Sequence, residues 1–175
     1  TTVKPLVMNP LSWSFRTGFA AAAAIVAAFL CFALFAQFQM NLQPCPLCVF
    51  QRIAFMALLL VCVVAAIHDP RGGGRKVYGG FALLAAGIGA AIATRHVWLQ
   101  HLPAGQVPEC GPDLGYMLDA FPLSKTIKMV FTGSGECAKV DWTFVGLSMP
   151  EWTLIWFVVF MLGALYFGFR RYASR

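Results

Sequence analysis

Charge is scarce in this chain. Only 11% of its 175 residues are Asp, Glu, Lys or Arg, and only seven of those are acidic. Soluble domains usually carry roughly 25% charged residues, so an ordinary water-soluble fold is excluded at the outset. The glycines form no Rossmann or phosphate-loop pattern, and Arg71-Gly72-Gly73-Gly74-Arg75 reads as a flexible turn. There is no Cys-x-x-Cys-His haem attachment, no His-x-x-x-His pair and no carboxylate cluster. Nucleotide cofactors, covalent haem and the common metal-hydrolase sites therefore have no ligand set. The net charge of +6 comes from short basic clusters between apolar runs, not from one basic face, so nucleic acid is not an expected partner.

What the chain has in place of charge is apolar bulk, 59% of all residues. It is concentrated in four runs, at about 17–36, 46–67, 77–97 and 153–169, each near the ~20 residues that cross a bilayer as a helix. The first run exceeds the roughly 7–15 residues of a signal-peptide core and lacks a small-x-small cleavage site. Thr1-Thr2, without a leading Met, reads as the product of processing or as an added remnant, and carries no assigned role. The expectation is an all-α membrane protein, a single domain over 1–175. Its four-helix bundle is joined by a short loop at about 37–45 and a long one at about 98–152.

Lysine and arginine sort by side under this arrangement. Lys4, Arg16, Arg71, Arg75, Lys76, Arg170, Arg171 and Arg175 fall at one end of the spans; loop 37–45 has none and the long loop only Lys125, Lys128 and Lys139. The positive-inside rule then puts both termini in the cytoplasm and both loops outside. In a bacterium that outer face is the oxidising periplasm. Trp13, Trp98, Trp152 and Trp156 lie near span ends, as belt aromatics do. Small residues recur at Ala20, Ala24 and Ala28 and at Ala82, Ala86 and Ala90, spacing that permits close helix contact.

The long loop has internal order of its own. Pro103, Gly105, Pro108, Gly111 and Pro112 keep the region around Cys110 irregular. Ile127, Val130 and Phe131, with Lys125 and Lys128 opposite, predict a short interfacial helix that ends at Gly133-Ser134-Gly135, just before Cys137.

Cysteine carries the chemistry. Cys45-Pro46-Leu47-Cys48 stands where a polar turn enters the second run. Pro46 suits the first turn of a helix, which makes Cys45 its N-cap and Cys48 its third residue. The free amides and positive dipole end there favour a thiolate. Arg52 lies four residues beyond Cys48 and so projects from the same face. An Arg inside an apolar run costs about 3 kcal/mol on insertion scales, which argues for a role, with snorkelling as the plain alternative. Arg95, at a span end, is better explained by snorkelling. Cys110 and Cys137 share the long loop, where a structural staple and a redox pair are both open. Cys31 and Cys62 are mid-span and read as small buried hydrophobes. Zinc on the four loop and lip thiols is the chemical rival, disfavoured because the pairs do not form compact knuckles. A transporter or scaffold with structural disulfides is the rival from another class.

In combination these residues resemble the DsbB family of bacterial inner-membrane disulfide oxidoreductases. The resemblance runs through Pro44-Cys45-Pro46-Leu47-Cys48 with Gln51-Arg52, Arg95-His96, Cys110 and Gly135-Glu136-Cys137-Ala138. It continues from Trp142 to Gly146-Leu147-Ser148-Met149-Pro150-Glu151-Trp152. It implies that Cys110 and Cys137 take electrons from a DsbA-type thioredoxin-like periplasmic protein. These pass by thiol exchange to Cys45 and Cys48, and Cys48 delivers them to a quinone of the membrane pool, ubiquinone or menaquinone. Arg52 matches the family's quinone-site cation, and His96 and Met149 match positions near its quinone. No metal is implied. Because DsbA-type proteins are strong oxidants, their reoxidation needs an acceptor of still higher potential, which a quinone supplies.

Overall fold

The computed structural model describes residues 13–103, 105–106, 114–133, 135–140 and 142–170. Cys110 lies outside the described residues. Four long helices form the body: α1 Phe15–Gln39, α2 Pro46–His68, α3 Gly73–Gln100 and, after the long loop, α7 Met149–Phe169. Between α3 and α7 the loop folds into α4 Leu114–Ala120, α5 Leu123–Thr132, α6 Gly135–Ala138 and the antiparallel strands β1 Thr143–Phe144 and β2 Leu147–Ser148. The shortest long helix, α7, has 21 residues, about 32 Å at 1.5 Å per residue and enough to cross the hydrocarbon core. All four are long and apolar enough to cross a membrane, and the chain is a multi-pass membrane protein of the all-α four-helix kind expected.

Two helices, α1 and α7, start earlier than their apolar runs because polar caps precede them. Ser14 and Thr17 form a capping box, so α1 begins at Phe15 and not at 17. Ser148 and Glu151 do the same for α7, the Ser148 amide donating to Glu151 Oε2 at 2.6 Å, so that helix begins at Met149 and not at 153. The Gly72-Gly73-Gly74 segment is only in part a turn: Gly72, at φ +61°, is the N-cap, and its two neighbours are already helical. Arg75 fixes the corner, donating through Nε to Pro70 O and lying 5.5 Å from the centre of the Phe15 ring.

Packing runs α1 on α2, α2 on α3 and, most extensively, α3 on α7. The α3–α7 seam is built on absent side chains. Gly79 and Gly168 meet backbone to backbone, where a Cβ on either would sit within 2.8 Å of the other's Cα. One end of the Phe157 ring occupies the space over Gly89, and its face stacks on Phe55 at 4.1 Å. Such close approach is what associates helices in lipid, where apolar burial between helices yields little. Ala82 and Ala86 lie in this seam as their spacing predicts. The alanine row of α1 does not: Ala20, Ala24 and Ala28 face outward, and α1 packs instead through Phe15, Gly18, Phe19, Ala23 and Val26. Trp156 is half-buried and packs on Phe29, ring centres 5.0 Å apart. Cys62 is buried as expected, whereas Cys31 is on the outward face of α1.

In the loop, α5 turns Thr126 and Val130 inward and leaves Leu123, Ile127 and Phe131 exposed. Thr126 Oγ1 ties it to α4 through Met117 O at 3.0 Å. The hairpin and α4 have no counterpart in the sequence reading. The hairpin turns through Val145 and Gly146, both at positive φ, and Val is a poor residue for that conformation.

The seam makes one direct test. Gly89→Ala places a methyl 2.3 Å from the Phe157 ring, whereas Gly87→Ala meets open space. The first is expected to cost about 1–3 kcal/mol of stability and the second almost nothing. Thermal unfolding in detergent compares them, and equal midpoints would contradict this packing.

Candidate active site

At the end of the bundle away from Arg75, the first turn of α2 is buried against α3 and α6. Pro46 begins α2 and Cys45 caps it, the Cys48 amide donating to Cys45 Sγ at 3.3 Å. A sulfur thus takes the place usually filled by a Ser or Asp oxygen. The two sulfurs of the pair are 2.9 Å apart. Cys137, on the one-turn helix α6, is fully buried, and its sulfur makes a hydrogen bond with that of Cys45. Three of the four cysteines expected to act in redox therefore converge on one point. The fourth, Cys110, is outside the described residues. Its pairing with Cys137 stays an expectation.

Cys45 is the shared member. The Cys137 and Cys48 sulfurs hydrogen-bonded to it, with burial added, push its thiol well above the ordinary range. It is therefore held protonated at neutral pH, where an unperturbed cysteine is already a few per cent thiolate.

His96 comes to the same place from α3. Its ring is 2% exposed, and Nε2 lies 3.7 Å from Cys45 Sγ. On its other side Gln51 Nε2 donates to His96 Nδ1 at 2.9 Å, and Thr153 Oγ1 donates to Gln51 Oε1 at 2.6 Å. A chain of polar side chains thus runs from α7 through α2 to α3 and ends on the sulfurs. Gln51 and Thr153 are site residues that sequence reasoning passed over. Gln51 had left a signal, a polar residue interrupting an apolar run one turn past Cys48; Thr153, at a helix start, had left none.

Arg52 is half-buried and does not hang free. Its Nη1 donates to Gln37 Oε1 and its Nη2 to Ala33 O at 3.2 Å, both on α1. Guanidinium has five N–H groups, so donors remain for an acceptor such as a quinone carbonyl. Cys48, one turn away on the same face, is half-buried too. Cys48 and Arg52 thus present a thiol and a cation on one face of α2. Met149 is the half-buried first residue of α7; its helix meets the site through Thr153, one turn deeper. The sulfurs of Cys45 and Cys48 and a ring nitrogen of His96 also lie within 4.8 Å of one another, close enough to share a tetrahedral ion.

Arg95 does more than snorkel. Its guanidinium stacks 4.2 Å from the Trp98 ring centre, and Nε and Nη2 donate to Phe131 O and Thr132 O at 3.0 Å each. These are orphan carbonyls at the end of α5, so Arg95 fastens the loop to α3 just ahead of Cys137.

Comparison with known proteins places the chain in a family. The sequence model for disulfide bond formation protein DsbB matches residues 15–167. The chain belongs to the DsbB family. A disulfide bond formation protein B from Xanthomonas campestris pv. campestris (strain 8004) is 46% identical over 169 residues, covering 96% of this chain and 98% of that protein. Proteins of the same name from Nitrosococcus oceani and Hahella chejuensis are 50% and 52% identical, covering 83% and 77% of this chain and 84% and 82% of their own lengths. Membership in the DsbB family accords with a disulfide-forming oxidoreductase role and with the buried sulfur cluster.

Two outcomes test the site. In reduced protein, alkylation of Cys45 is expected to need a pH above the usual thiol range. In Cys137→Ala the onset should move to lower pH, because the strongest upward push is gone. Mass spectrometry of peptides alkylated across a pH series measures it, and an unmoved onset would contradict the Cys45–Cys137 contact. Separately, Arg95→Ala should speed amide exchange in α5 about tenfold, the worth of a hydrogen bond to a charged group. Unaltered protection there would argue that the clamp holds nothing.

Proposed function

We propose that this DsbB-family chain reoxidises a DsbA-type thioredoxin-like protein in the periplasm and passes the electrons to membrane quinone. The observation that carries the reading is the contact of Cys45 with two sulfurs at once, Cys48 on its own helix and Cys137 from the loop. Exchange between two cysteine pairs requires such a shared member.

The partner's thiolate attacks the Cys110–Cys137 disulfide, and Cys137 leaves as a thiolate. That thiolate attacks Cys45, forming Cys45–Cys137 and releasing Cys48 as a thiolate beside Arg52. The partner's second thiol displaces Cys110 as the partner's own disulfide forms, and Cys110 attacks Cys137, re-forming Cys110–Cys137 and releasing Cys45. Cys45 and Cys48 then rejoin as a disulfide while their two electrons, with two protons, convert quinone to quinol. Quinone is the second substrate, held by the free donors of Arg52, with His96 on the sulfur side. The basic residues support an inner-membrane orientation with cytoplasmic termini: Arg16, Arg75 and Arg170 stand at the end of the bundle opposite the sulfurs.

The Cys45, Cys48 and His96 cluster favours a second reading, a zinc thiolate. Metal content of the purified chain, before and after quinone, separates the two. One tightly held zinc per chain that survives quinone would sink the redox reading.

The coupled assay combines purified chain, quinone and reduced partner. Quinol should form in a 1:1 ratio with partner disulfide. Cys110→Ala should abolish partner-driven turnover and leave quinone reduction by small dithiols. Arg52→Ala should raise the quinone KM about tenfold, with less effect on the partner's. Quinone that stays oxidised beside active partner refutes the proposal.

A further inference from the structure

Gln51 and Thr153 touch neither sulfur, yet together they decide what His96 presents to them. We infer that the two are positioning residues that lock His96 with its proton on Nε2, facing the cysteines. The inference rests on the redox reading of the same cluster and goes beyond it to the state of one ring.

The argument is one of donors and acceptors. Thr153 has a single hydroxyl proton and two acceptors in reach, Pro150 O at 2.9 Å and Gln51 Oε1 at 2.6 Å, and the shorter contact is to Gln51. An amide oxygen can only accept, so this contact turns the Gln51 NH2 toward His96. An NH2 can only donate, so Nδ1 of His96, 2.9 Å away, has to be the accepting nitrogen. Neutral imidazole has one N–H, and it is left on Nε2, the atom 3.7 Å from Cys45 Sγ. The Cys45 and Cys48 sulfurs and a ring nitrogen of His96 all lie within 4.8 Å of one another, so this side of the ring faces the pair. Gln51 is 4% exposed and His96 2%, so a partner lost between them is costly.

The consequence concerns the leaving sulfur. A bare Nε2 would act on the thiols as a base. An Nε2–H instead donates to whichever sulfur carries negative charge. When the Cys137 thiolate attacks Cys45, the bond to Cys48 breaks and the electron pair stays on Cys48, with no proton transferred. His96 then donates to that thiolate without leaving its place. The titratable groups around the ring are Cys45 and Cys48 from α2 and Cys137 from α6; in this step the charge passes from Cys137 to Cys48 while Cys45 stays in a disulfide.

The tautomer can be read directly. Full-length chain carrying 15N-histidine is reduced and placed in detergent micelles without partner or quinone. The ring signals of its three histidines are assigned with His96→Asn. Wild type should show neutral His96 protonated on Nε2. Thr153→Val should give a mixture of tautomers, Thr153→Ser should restore the single form, and Gln51→Glu, which can only accept, should put a proton on Nδ1. At one fixed pH, alkylation of Cys48 should fall roughly tenfold in Thr153→Val and recover in Thr153→Ser. A wild-type proton on Nδ1, or a tautomer unmoved by Thr153→Val and Gln51→Glu in protein that melts normally, overturns the inference. Because the spectra need neither substrate, failure of quinone reduction would refute the proposed function and leave this result standing.

Discussion

The arrangement depends on a helix N-terminus that is buried and yet capped by sulfur. Four amides at the start of α2 lack intrahelical partners, and Pro46 removes one of them. Cys45 satisfies another with its own side chain. This local demand puts Cys45 Sγ at the mouth of the helix and directs Cys48 back toward it. Everything else at the site is a consequence of where that turn is buried: His96 from α3 on one side, Cys137 from α6 on another, and Arg52 one turn deeper.

Much of this was legible from residue order. Four spans followed from unbroken apolar runs, and Cys45 as N-cap followed from Pro46. The Ser148-x-x-Glu151 capping box was also present as a signature, though the apolar run alone put the helix start four residues late. What escaped was the link from Thr153 through Gln51 to His96. The three stand on different helices, and no spacing rule connects residues 51, 96 and 153. The alanine rows illustrate the limit further. In an Ala-rich helix such as α1, small residues recur on several faces at once, and only the neighbouring helix determines which face is used.

Arg95 and Arg52 show two uses of one residue type. Each lies near the same end of the bundle, and each could have reached water. Instead, Arg95 secures backbone carbonyls of the loop and Arg52 secures α1. Neighbouring Trp98 takes part by stacking on Arg95, which makes an exposed aromatic part of the fastening. The loop that delivers Cys137 is thus anchored immediately before it, by a residue adjacent in sequence to His96.

The burial of Cys137 and Cys45, 0% and 9% exposed, has a kinetic meaning as well. Two sulfurs held in contact react at an effective concentration far above that of any dissolved thiol. Small thiols of the surrounding compartment would have to displace packed side chains to compete. Exchange between the packed sulfurs is consequently favoured over exchange with dilute bystander thiols, which reach the pair only through the half-buried Cys48.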